Sequence, residues 1–141
     1  MQGSLQLVNL EVYCREYARL KSKYAPGLVA SWTETSDPEK SVHEDVGIAA
    51  YLSCLWASGR GGSRKQRFVD LGCGNGLLVY ILSGEGHEGV GLDLRRRGIW
   101  DTFPNTVKLK VSLKLQSSRS VALHDLYTAN TATRNANAAR K

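Results

Sequence analysis

The sequence predicts an α/β fold built on a parallel sheet, and three observations carry that expectation. Arg67 to Leu71 is a short apolar run rich in strand formers, as a core parallel strand is. Three glycines at alternate positions, Gly72, Gly74 and Gly76, follow it at once, and then Leu77, Leu78, Ile81 and Leu82 recur at helical spacing. A second strand, Gly89-Val90-Gly91-Leu92-Asp93, comes next and ends in an acid. Strand, glycine turn, helix, strand is the unit from which parallel sheets are made.

The chain opens with a helix. Leu5, Val8, Val12, Tyr13, Tyr17 and Leu20 recur at steps that fit one helical face. The pattern continues through Tyr24 and is expected to stop at Pro26-Gly27. Trp32 to Ser36 is a connector. Ser36-Asp37-Pro38-Glu39 then starts a second helix, with a capping side chain, a proline near the first turn and an acid within it. That helix should run to about Trp56, with Val42, Val46, Ala49, Leu52, Leu55 and Trp56 as its inner stripe. Glu44 and Asp45 sit on its early turns, where acids offset the helix dipole.

Ala57 to Gln66 is glycine-rich, serine-bearing and basic, the composition of a flexible loop. After the glycine turn and its helix, Gly84 or Gly86 is placed to act as a left-handed cap before the second strand. Arg95-Arg96-Arg97 follows that strand, either as a solvated loop or as a phosphate contact beyond the strand tips. Val107 to Val111 is a third strand, edge-like because of Lys108 and Lys110. Past Val111 the pattern dissolves. Thr128 to Lys141 has no apolar period and is expected to be disordered. The expected organisation is a helical extension over 1–57, a loop over 58–66, a partial sheet-bearing core over 67–111 and an irregular tail over 112–141.

Charge is unevenly placed. Of the net +6, the stretch from Asp101 onward carries +5, from seven cations against Asp101 and Asp125. The fold-bearing part is therefore nearly neutral, and the basic balance alone does not argue for nucleic acid. Cys14, Cys54 and Cys73 are odd in number and far apart, which disfavours both a disulfide scaffold and a zinc site. His43, His87 and His124 show no ligand spacing, so no metal is expected. No apolar run approaches a membrane span, and Met1-Gln2-Gly3-Ser4 carries no secretory signal pattern, so a cytoplasmic protein is expected.

The glycine turn is where chemistry gathers. Glycine accepts positive φ and lets another molecule lie against bare backbone. A helix opening there aims free N–H groups and its positive dipole end into the same crevice, which suits a small ligand with an anionic group. Asp93 lies 17 positions after Gly76. An acid at the second strand tip accepts hydrogen bonds from ribose hydroxyls, so the layout is that of an adenosine-containing cofactor. The dinucleotide fingerprint is G-x-G-x-x-G, whereas this chain has G-x-G-x-G with Leu77 at the third dinucleotide position. Three alternatives stand on spacing alone: dinucleotide binding, another adenosyl cofactor, or an empty glycine turn. Cys73 lies inside the turn without a neighbouring base, as a small residue filling tight backbone.

Asp70-x-Gly72-x-Gly74-x-Gly76 resembles the first motif of class I S-adenosylmethionine-dependent methyltransferases. The flanks narrow the likeness. Asp37-Pro38-Glu39-Lys40, Glu44-Asp45-Val46, Tyr51-Leu52 and Leu55-Trp56 before the turn, and Gly91-Leu92-Asp93-Leu94-Arg95-Arg96-Arg97 with Ile99-Trp100-Asp101 after it, are similar to the eukaryotic tRNA (uridine-2′-O-)-methyltransferase family acting on serine tRNA. The likeness covers about Leu5 to Val111. It implies a Rossmann-like fold, here truncated, and S-adenosylmethionine as cofactor. Asp70, Gly72, Cys73, Gly74, Gly76 and Asp93 would bind it. Serine tRNA would be the partner, met by Arg95, Arg96 and Arg97, and one of Glu44 and Asp45 would stand near the cofactor. The family's later motifs would lie past Val111 and are not found there, so no residue is identified as the general base and the chain alone is expected to be inactive.

Overall fold

The structure, a computed structural model, describes residues 7–59 and 65–113. The expected tail from 114 and most of the expected 58–66 loop lie outside the described residues, as does Leu5. Helix α1 spans Leu10–Ala30, α2 Pro38–Ser58, β1 Arg67–Leu71, α3 Leu77–Gly84, β2 Glu88–Asp93 and β3 Leu109–Val111, with a 3₁₀ turn at Gly98–Thr102 before β3. All belong to one compact unit, Met1–Val111. The sheet has the order β1-β2-β3 and both pairings are parallel, Val69 opposite Val90 and Leu92 opposite Lys110.

Asn9 caps α1 by accepting from the Glu11 and Val12 N–H groups at 2.9 and 3.2 Å. The helix does not stop at Pro26 but runs through it to Ala30. Leu28 on the far side of the proline is buried in the core, and that burial holds the helix together past the lost hydrogen bond. Its inner face is Tyr13, Tyr17, Leu20, Tyr24 and Leu28, while Val12 faces solvent. Asp37 caps α2 by accepting from the Lys40 N–H at 3.1 Å, and Val42, Val46, Ala49 and Ala50 are fully buried. Helices α1, α2 and α3 share one hydrophobic cluster with Phe68, Trp100 and Leu109.

Helix α3 ends as its glycines foretell. Gly86 takes φ +88°, its N–H donates to the Ser83 carbonyl, and the His87 N–H reaches back to the Leu82 carbonyl at 3.0 Å. Next to this cap, Glu85 accepts from Arg19 at 2.6 Å, Lys23 at 2.8 Å and the Tyr24 hydroxyl at 2.7 Å, sewing α3 to α1. The third strand begins at Leu109 rather than Val107; the Val107 N–H is taken by the Pro104 carbonyl in a turn.

Candidate functional site

The turn between β1 and α3 is anchored to β2. The Gly72 and Cys73 N–H groups both donate to the Leu92 carbonyl, at 2.7 and 3.1 Å. Gly72, Gly74 and Gly76 take φ +76°, +52° and +78°, the left-handed region that disfavours any Cβ. The three have different surroundings. A Cβ at Gly72 or Gly74 would meet nothing within 4 Å, whereas one at Gly76 would fall 2.7 Å from Leu109 Cδ1. Gly76 is thus fixed by packing beneath the turn, while Gly72 and Gly74 present bare backbone to open space.

The carboxylates come from three elements. Asp93, at the tip of β2, accepts from the Gly74 N–H at 2.8 Å through Oδ2 and from the Arg95 N–H at 3.2 Å through Oδ1. Partial burial pushes its carboxyl up, but these backbone donations outweigh it, and the group lies below the ordinary carboxylate range. Asp70, at the end of β1, is shifted upward by burial and then by the charge of Asp93. Asp45 arrives from α2. Burial first, then the charges of Asp70 and Glu44, raise it to about 6, against a hydrogen bond with Asn75 that lowers it. Cys73 is buried, and burial together with Asp70 and Asp93 pushes its thiol to about 12. It stays protonated at neutral pH, in keeping with a packing role.

The arginine run does not act as one patch. Arg96 forms an ion pair with Asp101. Arg95 is exposed. Arg97 is half-buried, its Nε has no hydrogen-bond partner among the described residues, and its charge draws down both Asp93 and Cys73. His87 lies at the other end of β1, where its Nδ1 accepts from the Gln66 N–H at 3.0 Å, away from the glycine turn.

A family model described as "Predicted AdoMet-dependent methyltransferase" matches residues 7–117. The chain belongs to this methyltransferase family. It is 53% identical over 112 residues to a "Probable tRNA (uracil-O(2)-)-methyltransferase" of Mus musculus, covering 77% of the chain and 16% of that protein. It is 51% identical to the Homo sapiens protein of the same name over 112 residues, 77% of the chain and 15% of that protein. A "tRNA (uracil-O(2)-)-methyltransferase" of Schizosaccharomyces pombe is 48% identical over 99 residues, 70% of the chain and 20% of that protein. The chain thus spans about a sixth to a fifth of the length of these relatives. No solved structure matches it.

Several residues that shape this methyltransferase turn are not found by glycine spacing. Trp100 is buried and donates from Nε1 to the Gly74 carbonyl at 2.9 Å, pinning the middle of the turn. Glu34, in the α1–α2 connector, accepts from the Ile99 N–H at 2.9 Å and so holds the 3₁₀ turn that presents Trp100. Asn75 accepts from the Leu77 N–H at 3.0 Å, satisfying an orphan donor at the start of α3. The only advance sign of Trp100 and Asn75 is their place in the family pattern. Glu34 has none, because its partner is 65 positions away.

Proposed function

We propose that this chain is the S-adenosylmethionine-binding part of a tRNA (uracil-2′-O-)-methyltransferase acting on serine tRNA. The observation that carries it is the open ground over Gly72 and Gly74, where an added Cβ meets nothing, beside an acid already fixed at the turn. That ground suits the bare-backbone approach of an adenosyl group. Asp93, kept ionised by its backbone donors, is the acceptor for the ribose hydroxyls. In this reading Asp70 and the Cys73 backbone complete the wall, and Gly76 supports it from beneath, packed against Leu109. The named relatives support the choice of acceptor. Bound there, S-adenosylmethionine supplies a methyl group on a sulfonium for transfer to an oxygen nucleophile.

In this reading the exposed Arg95 and the half-buried Arg97 face tRNA phosphates, and Arg96 contributes less because Asp101 neutralises it. Cys14, Cys54 and Cys73 are free thiols, which supports a reducing compartment, the cytoplasm. The chain alone should show no methyl transfer to tRNA, since no described residue is placed as a general base.

Calorimetric titration with S-adenosylmethionine is the test. Gly74→Val should abolish binding, through a side chain in the open ground and strain at φ +52°. Asp93→Ala should weaken it by about 1–3 kcal/mol, the cost of losing a charged acceptor. Equal binding by the parent and both variants would overturn the assignment.

A further inference from the structure

Gly74 is the fixed point of an otherwise permissive turn. Its N–H donates to Asp93 Oδ2 at 2.8 Å, and its carbonyl accepts from the Trp100 indole Nε1 at 2.9 Å. Both polar groups of that one residue are therefore held, one from β2 and one from the 3₁₀ turn. The indole lies beneath: Trp100 is buried, and a Cβ added at Gly76 would come within 3.4 Å of its Nε1. The peptide from Gly74 to Asn75 is trans, so the Asn75 N–H points opposite to the carbonyl that Trp100 holds. Among the described residues that N–H meets no acceptor. By drawing the carbonyl inward, the indole turns a free backbone donor away from the core.

Trp100 is itself held from a distant part of the chain. Ile99, its neighbour in the 3₁₀ turn, is fully buried, and the Ile99 N–H donates to Glu34 Oε1 at 2.9 Å. A buried amide without an acceptor is costly, so Glu34 fixes where that turn sits. Glu34 stands on a shaped bend. Within the connector between α1 and α2, the Trp32 indole donates to the Ser36 carbonyl at 2.9 Å, and Asp37 caps α2 directly after it. A strut thus runs from the connector through Glu34, Ile99 and Trp100 to Gly74.

We infer that Glu34 and Trp100 are positioning residues for the cofactor: the helical part ahead of the sheet sets the affinity of a turn that it does not line. This rests on the assignment of the turn as an S-adenosylmethionine site. Glycines at positive φ have many conformations to choose from, and a ligand that must order them binds more weakly. The strut removes that freedom before the ligand arrives. Without the indole donor the Gly74 carbonyl loses its partner, the peptide is free to rotate, and the Asn75 N–H goes with it. Glu34 acts one step further back, through Trp100.

The experiment titrates S-adenosylmethionine into the full chain and four variants by calorimetry, with proton–nitrogen correlation spectra of the indoles alongside. Trp100→Phe keeps an aromatic ring and removes the donor, and should weaken binding about tenfold. Glu34→Ala should weaken it about threefold and shift the Trp100 indole signal while that of Trp56 stays in place. Glu34→Gln keeps an oxygen to accept from Ile99 and should bind within about twofold of the parent. Glu85→Ala loosens the fold at the seam of α3 and α1, away from the turn, and should also bind within about twofold. Parent-like binding by both Trp100→Phe and Glu34→Ala would overturn the inference. So would equal weakening by Glu85→Ala, which would trace the effect to general loosening, or a Glu34→Gln as weak as Glu34→Ala, which would trace it to charge. A parent that does not bind S-adenosylmethionine would bring down the site assignment, and the inference with it.

Discussion

Glu85 and Asp45 are both half-withdrawn acids on or beside helices, and the protein treats them in opposite ways. Glu85, at the seam of α3 and α1, is met by two cations and a hydroxyl. Burial would raise it, yet the donations from Arg19, Lys23 and Tyr24 hold it down at about 2. Asp45 meets Asp70 and Glu44 and is driven up to about 6. The contrast separates scaffold from site. Glu85 serves the fold and the chain supplies its counter-charges, whereas Asp45 forms no ion pair among the described residues. The largest difference is therefore electrostatic, and pH reads it directly.

Glu85→Ala should have the larger effect on stability. The folded carboxyl lies at about 2 against an ordinary 4.5, so its contribution is fully present above pH 4.5 and lost as pH falls through 2. Arg19 and Lys23 are about half exposed, at 47% and 50%, so solvent screens part of the attraction. A loss of about 2 kcal/mol near pH 7 is expected, read from denaturant midpoints, with the gap to the parent closing as pH drops from 4.5 toward 2. A gap that does not change over that range would mean that Glu85 acts through packing and not through charge.

Asp45→Asn should have the opposite sign. The folded group titrates at about 6 against an ordinary 3.8, so the parent carries a penalty that is full above pH 6 and relieved as pH falls toward 3.8. The variant should be more stable by about 1–2 kcal/mol at pH 7.5 and equal to the parent near pH 4, as thermal midpoints across that range would report. Should the variant be the less stable one at pH 7.5, the two acids would be alike in kind and the contrast would fail.

The strand–turn–helix–strand frame was legible because each part is local. Arg67–Leu71 as β1 and the Gly86 cap follow from short-range pattern, and both appear as expected. Pro26 misled because propensity lost to tertiary burial: Leu28 has a place in the core only if α1 continues. Val12 misled because a helix of 21 residues carries more apolar positions than one face can use, and the Tyr13–Tyr17–Leu20–Tyr24–Leu28 row won. At the candidate site, spacing was enough to expect that the glycines and Asp93 would meet at one turn. The difference between Gly76 and the other two could not, since it depends on Leu109 of another strand. Asp45 was half legible. The sequence placed an acidic pair on an early turn of α2, but only the packing of α2 against the turn chooses Asp45 over the exposed Glu44.

The smallest effect should come from a region belonging to neither side of the contrast, the outer face of β1. Alternation along the strand sends Phe68 and Asp70 to one face and Val69 and Leu71 to the other. Phe68 stacks on Trp56 with ring centroids 6.4 Å apart, and Asp70 reaches the site. Val69 and Leu71 stay 45% and 52% exposed, outside the hydrophobic cluster. Apolar residues on both faces are the mark of a parallel strand built to be covered twice. Among the described residues β1 is also an edge strand, with β2 as its one strand neighbour. An exposed apolar face at a sheet edge invites self-association. Val69→Lys gives up little burial, so its effect on unfolding free energy should stay within about 0.5 kcal/mol. Its effect on association should be plain, because a charge on that face blocks edge-to-edge contact. Sedimentation of parent and variant at matched concentrations is the check. Less self-association with unchanged stability is expected. A loss of stability as large as that of Glu85→Ala would show that this face is packed after all, and would move β1 from the neutral ground into the scaffold.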